Sequence, residues 1–135
     1  MSWIADCSVA MAWCFEDEVT PRTESLLDRT RTEGLILPGH WPLEVTNVLR
    51  SAARKGRLTE TQALQRAAIL MSLPIQYDSL THIVAFTSTY RLAARYKLTM
   101  YDAAYLELAI RIGASLATND QDLAHAADQC GVDLL

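Results

Sequence analysis

The sequence predicts an α/β fold with three layers, a central and mostly parallel sheet flanked by helices. Three observations point there. Short apolar runs alternate with longer stretches of helical periodicity all along the chain. The connections between them are short, as expected where strands are joined through crossover helices. At 135 residues, half of them apolar, residues 1–135 make one domain with enough material for a core.

Trp3-Ile4-Ala5 is the first buried run. Asp6 ends it, Ser8 is placed to cap the next turn, and Val9 to Phe15 continue as an apolar helix. Glu16-Asp17-Glu18 is a solvated acidic link. Thr20-Pro21 has the N-cap and N1 pattern of a helix running to Gly34, with Leu26 and Leu27 on its apolar side. Leu35-Ile36-Leu37 is the second strand and Pro38-Gly39 its turn. Pro42 opens the next helix, which carries the stripe Val45, Val48, Leu49, Ala52 and ends at Gly56. Thr59 and Gln62 form a capping box, and Ala63, Ala67, Leu70 and Met71 give the helix behind it a face to bury.

Beyond Pro74, Ile75-Gln76-Tyr77 is a third strand. Asp78 or Ser79 begins a helix with Ile83, Phe86, Leu92 and Ala93 as apolar positions. Thr99 and Asp102 have capping-box spacing, with Asp in place of the usual Glu or Gln. The helix they open presents Ala103, Leu106, Ala109 and Ile110 to the core and stops at Gly113. Ala114–Thr118 is a fourth strand, Asn119–Leu123 leads into a last helix closed by Gly131, and Val132–Leu135 is an edge strand.

No apolar run approaches the roughly 20 residues that span a bilayer, and the N-terminus lacks a secretory pattern. Three cysteines, an odd number without zinc-ligand spacing, suggest reduced thiols in a cytoplasmic protein. The formal charge of −4 argues against a general polyanion binder. Four ionised carboxylates in one site would account for that whole excess, so an acidic total leaves a nucleic-acid substrate open.

Four acids carry the functional reading. Asp6, Glu44, Asp102 and Asp120 each stand where a short apolar run meets a helix signal. Each has an ordinary use as a cap or as a complement to the helix dipole. Four together suggest a metal site at one edge of the sheet, and oxygen donors suit Mg²⁺ or Mn²⁺, one ion or two, better than zinc. Hydrolysis of a phosphodiester is the chemistry such a site performs. Asn47 is three residues from Glu44 and is placed to face the same site, at some cost to helix propensity. Arg50 and Arg54, an i,i+4 pair, are candidates to hold substrate phosphates. The chain has no G-x-G-x-x-G, P-loop or G-x-S-x-G pattern. Position 8 is Ser, which removes a phosphatase-type Asp-x-Asp.

In order along the chain, I-A-D-C-S-V-A, P-L-E-V-T-N-V-L-R, Y-D-A-A-Y-L-E-L-A and L-A-T-N-D-Q-D-L resemble the motifs of the PIN-domain nucleases, and among them the VapC-like ribonuclease toxins of toxin–antitoxin pairs. The resemblance implies that Asp6, Glu44, Asp102 and Asp120 are the catalytic metal ligands. Ser8, Asn47 and Thr118 would support them, with Asp122 as an auxiliary acid. It further implies endonucleolytic RNA cleavage, Mg²⁺ or Mn²⁺ dependence, and a homodimer. An antitoxin would cover the acidic cleft in a heterotetramer or larger assembly, its groove among the helices between Thr20 and Leu73. Two other readings stay open: a structure-specific DNA or RNA nuclease outside a toxin pair, and a non-catalytic RNA-binding regulator.

Overall fold

A computed structural model describes residues 2–135. Strand β1 (Trp3–Ala5) leads into α1 (Cys7–Cys14) and a single 3-10 turn at Glu16–Glu18. Helix α2 (Pro21–Glu33), β2 (Leu35–Leu37), α3 (Trp41–Arg54), α4 (Glu60–Met71) and β3 (Ile75–Tyr77) follow. Helix α5 (Thr81–Val84) runs through a π-helical turn (Ala85–Thr89) into α6 (Tyr90–Tyr96). The chain closes with α7 (Met100–Ile112), β4 (Ser115–Ala117) and α8 (Gln121–Gln129).

The strands form two parallel ladders. β1 pairs with β4 in the register Trp3–Ser115, Ile4–Leu116 and Ala5–Ala117, and β2 pairs with β3 from Leu35–Ile75 to Leu37–Tyr77. β1 lies against β2 without a ladder between them, so the spatial order is β3-β2-β1-β4. Every residue of β1 and β4 is buried, as expected of strands covered on both faces. The expected edge strand at Val132–Leu135 is reduced to one bridge, Leu134 to Leu116.

Local signals explain most boundaries. Thr20 and Thr59 each close a full reciprocal capping box. Gly34 enters β2 at φ 78° and ψ 179°, a region essentially reserved for glycine, with the Pro74 carbonyl oxygen 2.7 Å from where a Cβ would stand. Helix α7 is buried continuously from Ala103 to Ala109 rather than on one stripe, and Ile110, expected inside, is exposed. It packs on β1, β4, α6 and α8 as the central helix of the fold. Met71, Ile83 and Phe86 are also exposed, Phe86 at 87%, against the apolar faces expected of their helices. For Phe86 the reason is local: the π turn adds backbone to the helix and rotates the residues in it away from the 3.6-residue stripe.

Among the described residues, no helix is long and apolar enough to cross a membrane. Cys7, Cys14 and Cys130 are free. Burial and the nearby carboxylates push the Cys7 thiol far up, and burial raises that of Cys14 to about 11, so neither is a ready nucleophile.

Candidate functional site

All four candidate acids emerge at the carboxyl ends of the strands, where open α/β sheets place their ligands. Asp6 directly follows β1, Asp120 follows β4, Glu44 lies in the first turn of α3 after β2, and Asp102 lies in the first turn of α7. A concavity of about 650 Å³ at the opposite end, lined by Ser2, Gly34, Leu35 and Pro74 among others, carries none of them.

Asp6 is the buried floor of the site, 3% exposed. It caps α1, accepting from the Val9 N–H at 3.2 Å and from the Ser8 hydroxyl at 2.6 Å on Oδ1, while Thr118 donates to Oδ2 at 2.5 Å. Ser8 and Thr118 also reach across: Ser8 Oγ accepts from the Asn119 N–H at 2.8 Å, and Thr118 Oγ1 from the Asp120 N–H at 2.9 Å. These two hydroxyls therefore lock the loop after β4 to the loop after β1. Desolvation pushes the Asp6 carboxyl above its ordinary value despite the three hydrogen bonds that oppose it, and Glu44 adds to the rise.

Asp120 caps α8 through the Leu123 N–H at 2.8 Å with its Oδ2. Glu44 accepts from the Tyr105 hydroxyl at 2.5 Å, and His40 Nε2 stands 3.4 Å from the same oxygen. Tyr105 is fully buried and its hydroxyl is held far above its ordinary pKa, so it remains a neutral donor. Asp102 forms only half of the expected capping box. Thr99 Oγ1 accepts from the Asp102 N–H at 3.1 Å, and the shorter Asp side chain does not return the bond. Its carboxyl is raised to about 6, by burial first and then by Asp120, Asp6 and Glu44. Asp102 thus stands within reach of the charge of the other three acids.

The remaining candidates divide. Ser8 and Thr118 join the acids. Asp122 is exposed in the first turn of α8. Asn47 is exposed and faces the groove between α3 and α4, hydrogen-bonding none of the four acids. Arg50 pairs with Glu60 at 2.9 Å, and Arg54 is exposed in the last turn of α3. Three residues unassigned from the sequence belong to the site's frame. Tyr105 holds Glu44 through its hydroxyl, and His40 lies 3.4 Å from the same carboxylate without hydrogen-bonding it, a proximity signalled by its i,i+4 spacing to Glu44. Arg22, on α2, donates to the Asn119 side chain at 2.9 Å and to the Thr118 carbonyl at 3.3 Å; no local pattern reveals that contact.

The donor set is hard oxygen, mutually repelling and graded from buried Asp6 to the half-buried Glu44, Asp102 and Asp120, a chemistry that fits a small divalent cation. Among the described residues, no three acidic, histidine or cysteine side chains close into a cage by themselves.

Comparison with known proteins follows the same lines. Over 81 residues the chain is 35% identical to Ribonuclease VapC3 of Pyrobaculum aerophilum, an alignment covering 60% of this chain and 62% of that protein. The crystal structure of PAE2754 from Pyrobaculum aerophilum has the same fold, with a TM-score of 0.72 at 23% identity over 99% of this chain and 90% of the other. The PIN domain model matches residues 4–129 and so takes in β2, β3 and β4, all of β1 but Trp3, and all four acids. The chain belongs to the PIN-domain family.

Proposed function

We propose that the chain is an Mg²⁺- or Mn²⁺-dependent endoribonuclease, the toxin of a toxin–antitoxin pair, with Asp6, Glu44, Asp102 and Asp120 as its catalytic and metal-binding acids. The observation that supports this reading is the placement of the four acids, after β1 and β4 and in the first turns of α3 and α7, within the stretch that the PIN domain model matches. A fold that holds four carboxylates in mutual repulsion is poised for a cation. When bound, the metal supplies charge neutralisation at the phosphate and activation of the attacking water.

The chain's own residues do the rest. Ser8 and Thr118 fix both oxygens of Asp6, and Tyr105 orients Glu44. Asp120 keeps its Oδ2 on the cap of α8. Attack on the phosphodiester leaves a 5′-phosphate and a 3′-hydroxyl, as family analogy suggests. Arg50 and Arg54 steer the RNA backbone from the far end of α3.

The likeness to a protein named as a VapC ribonuclease supports RNA as substrate and an antitoxin as partner. The groove of about 370 Å³ between α3 and α4, with Leu43 and Leu64 exposed along it, suits an amphipathic antitoxin segment. A homodimer, a larger complex with antitoxin and a cytoplasmic location complete the reading. The test is mapping of cellular RNA ends after controlled expression of this protein and of its Asp102→Asn variant. New 5′-phosphate ends at defined RNA sites are expected with the former and not the latter. Identical end profiles would overturn the assignment, and selective cutting of flapped DNA in a substrate panel would favour a structure-specific nuclease.

A further inference from the structure

Beside the acids, along the same carboxyl edge, a cleft of about 360 Å³ lies between the β2–α3 turn, the segment after β3 and the start of α7. Its walls are mostly apolar: Ala85, Met100, the Tyr101 ring and Ala104, with His40, Thr81 and His82 supplying polar edges. That size falls in the roughly 300–1,000 Å³ range of small-ligand sites. Asp78 also borders the cleft, but its charge is neutralised: Arg111 grips both oxygens at 3.0 and 2.7 Å, and Thr81 donates at 2.8 Å. The cleft therefore offers no site for a cation and little for a phosphate.

Its two aromatic rings connect it to the acids. Tyr101, 61% exposed, is the residue before Asp102, and its ring centroid is 5.6 Å from that of His40. His40 in turn touches Glu44 and lies 5.1 Å from the Tyr105 ring. An aromatic face left open beside a polar-edged apolar cleft is how single-stranded nucleic acid is held by stacking, independent of a base-pairing partner. The π turn Ala85–Thr89 contributes Ala85 and Thr89 to the cleft wall, and such turns concentrate at functional sites.

We propose that this cleft is a nucleobase subsite: it takes the unpaired base of a nucleotide flanking the scissile phosphate, stacked on Tyr101. The assignment rests on the nuclease reading above and narrows its substrate to RNA that is single-stranded, or unpaired at that nucleotide. A base held there sets the adjoining phosphate beside Asp102 and Glu44, so Tyr101 determines where the strand is cut.

The test uses the purified protein with Mg²⁺ and a short single-stranded RNA in which each base in turn is replaced by an abasic residue. Removal of one base next to the cut should lower kcat/KM by about 5- to 150-fold, the range that base–aromatic stacking confers. Tyr101→Ala should lower the rate on intact RNA by a similar factor and become indifferent to that base. Tyr101→Phe, which keeps the ring, should restore sensitivity to it. A second readout needs no turnover: in EDTA, fluorescence anisotropy should show tighter binding of an intact 2′-O-methyl oligonucleotide than of its abasic counterpart, a preference lost in Tyr101→Ala. If the protein cleaves but no position is sensitive to base removal, or Tyr101→Ala keeps the full abasic penalty, the subsite is refuted and the nuclease reading stands. If the folded protein cleaves no RNA and shows no preference for the intact strand, both fall.

Discussion

Asp102→Asn separates a functional carboxylate from a capping one by the sign of its effect on stability. An acid in the first turn of a helix, acting only on the dipole and free N–H groups, stabilises by about 0.3–1 kcal/mol, so its loss would weaken the fold. Here the opposite is expected of the metal-free protein. The folded carboxyl is raised from 3.8 to about 6 by burial and by Asp120, Asp6 and Glu44, with the Thr99 hydroxyl opposing. A raised folded value means that the native state holds its proton longer than the unfolded chain does. Stability therefore falls as pH rises from about 4 to 6 and stays depressed at pH 7. Full linkage would amount to ~3 kcal/mol, from about 1.4 kcal/mol per tenfold change in proton affinity. Asp102 is only half-buried, and solvent screening reduces this to about 1–2 kcal/mol. Urea denaturation in EDTA should show Asp102→Asn more stable than the parent by that amount at pH 7.5, with the difference vanishing near pH 4. A variant equally destabilised at both pH values would refute the reasoning and return Asp102 to a plain helix cap.

Three further substitutions test the frame around the acids. Thr118→Val keeps the shape but removes the donor to buried Asp6 and the acceptor for the Asp120 N–H; a loss of about 1.5–3 kcal/mol is expected, with cleavage impaired, and wild-type melting would contradict it. Arg111→Ala leaves the buried Glu107 and the half-buried Asp78 without their cation, and because Arg111 is itself partly exposed the expected loss is about 2–3 kcal/mol, below the 3–5 of a fully buried pair. Arg111 holds Asp78 below its ordinary value, so this contribution is present above pH 3.8 and fades as pH falls through the lower folded value; acid titration of both proteins checks that convergence. Gly34→Ala must place a Cβ 2.7 Å from the Pro74 oxygen at positive φ, and a drop of about 2–3 kcal/mol in denaturant stability is expected without any change at the acids.

The elements that position the acids were readable because each depends on local chemistry. Capping side chains at Thr20, Thr59, Thr99 and Asp120, and glycines at 34 and 113, mark helix ends through bonds within a few residues. Asp102 could be placed from sequence for the same reason, whereas the cap of α1 expected at Ser8 is taken by Asp6, and Ser8 bonds Asp6 instead. What escaped depends on contacts far apart in the chain. From sequence Tyr105 could line the site or merely pack, and only Glu44, 61 positions away on its hydroxyl, decides between the two. Arg22 appears as helix surface until the loop after β4 folds against it. Asn47 shows the limit of angular reasoning: three residues from Glu44 is a neighbouring direction, and packing of α4 gives that direction to a groove instead of the site. Phe86 followed the expected stripe only on paper, since a π turn cannot be seen in a 3.6-residue period.

Asp6, Glu44, Asp102 and Asp120 are proposed to hold a divalent cation together. Titration of the purified, folded protein with Mn²⁺, followed by water-proton relaxation, tests it most directly. Saturable binding of one or two ions is expected, displaced by excess Mg²⁺ and strongly weakened in Asp102→Asn and Asp120→Asn, which remain folded. Absence of saturable binding in the folded parent protein, or equal binding in both variants, would contradict it.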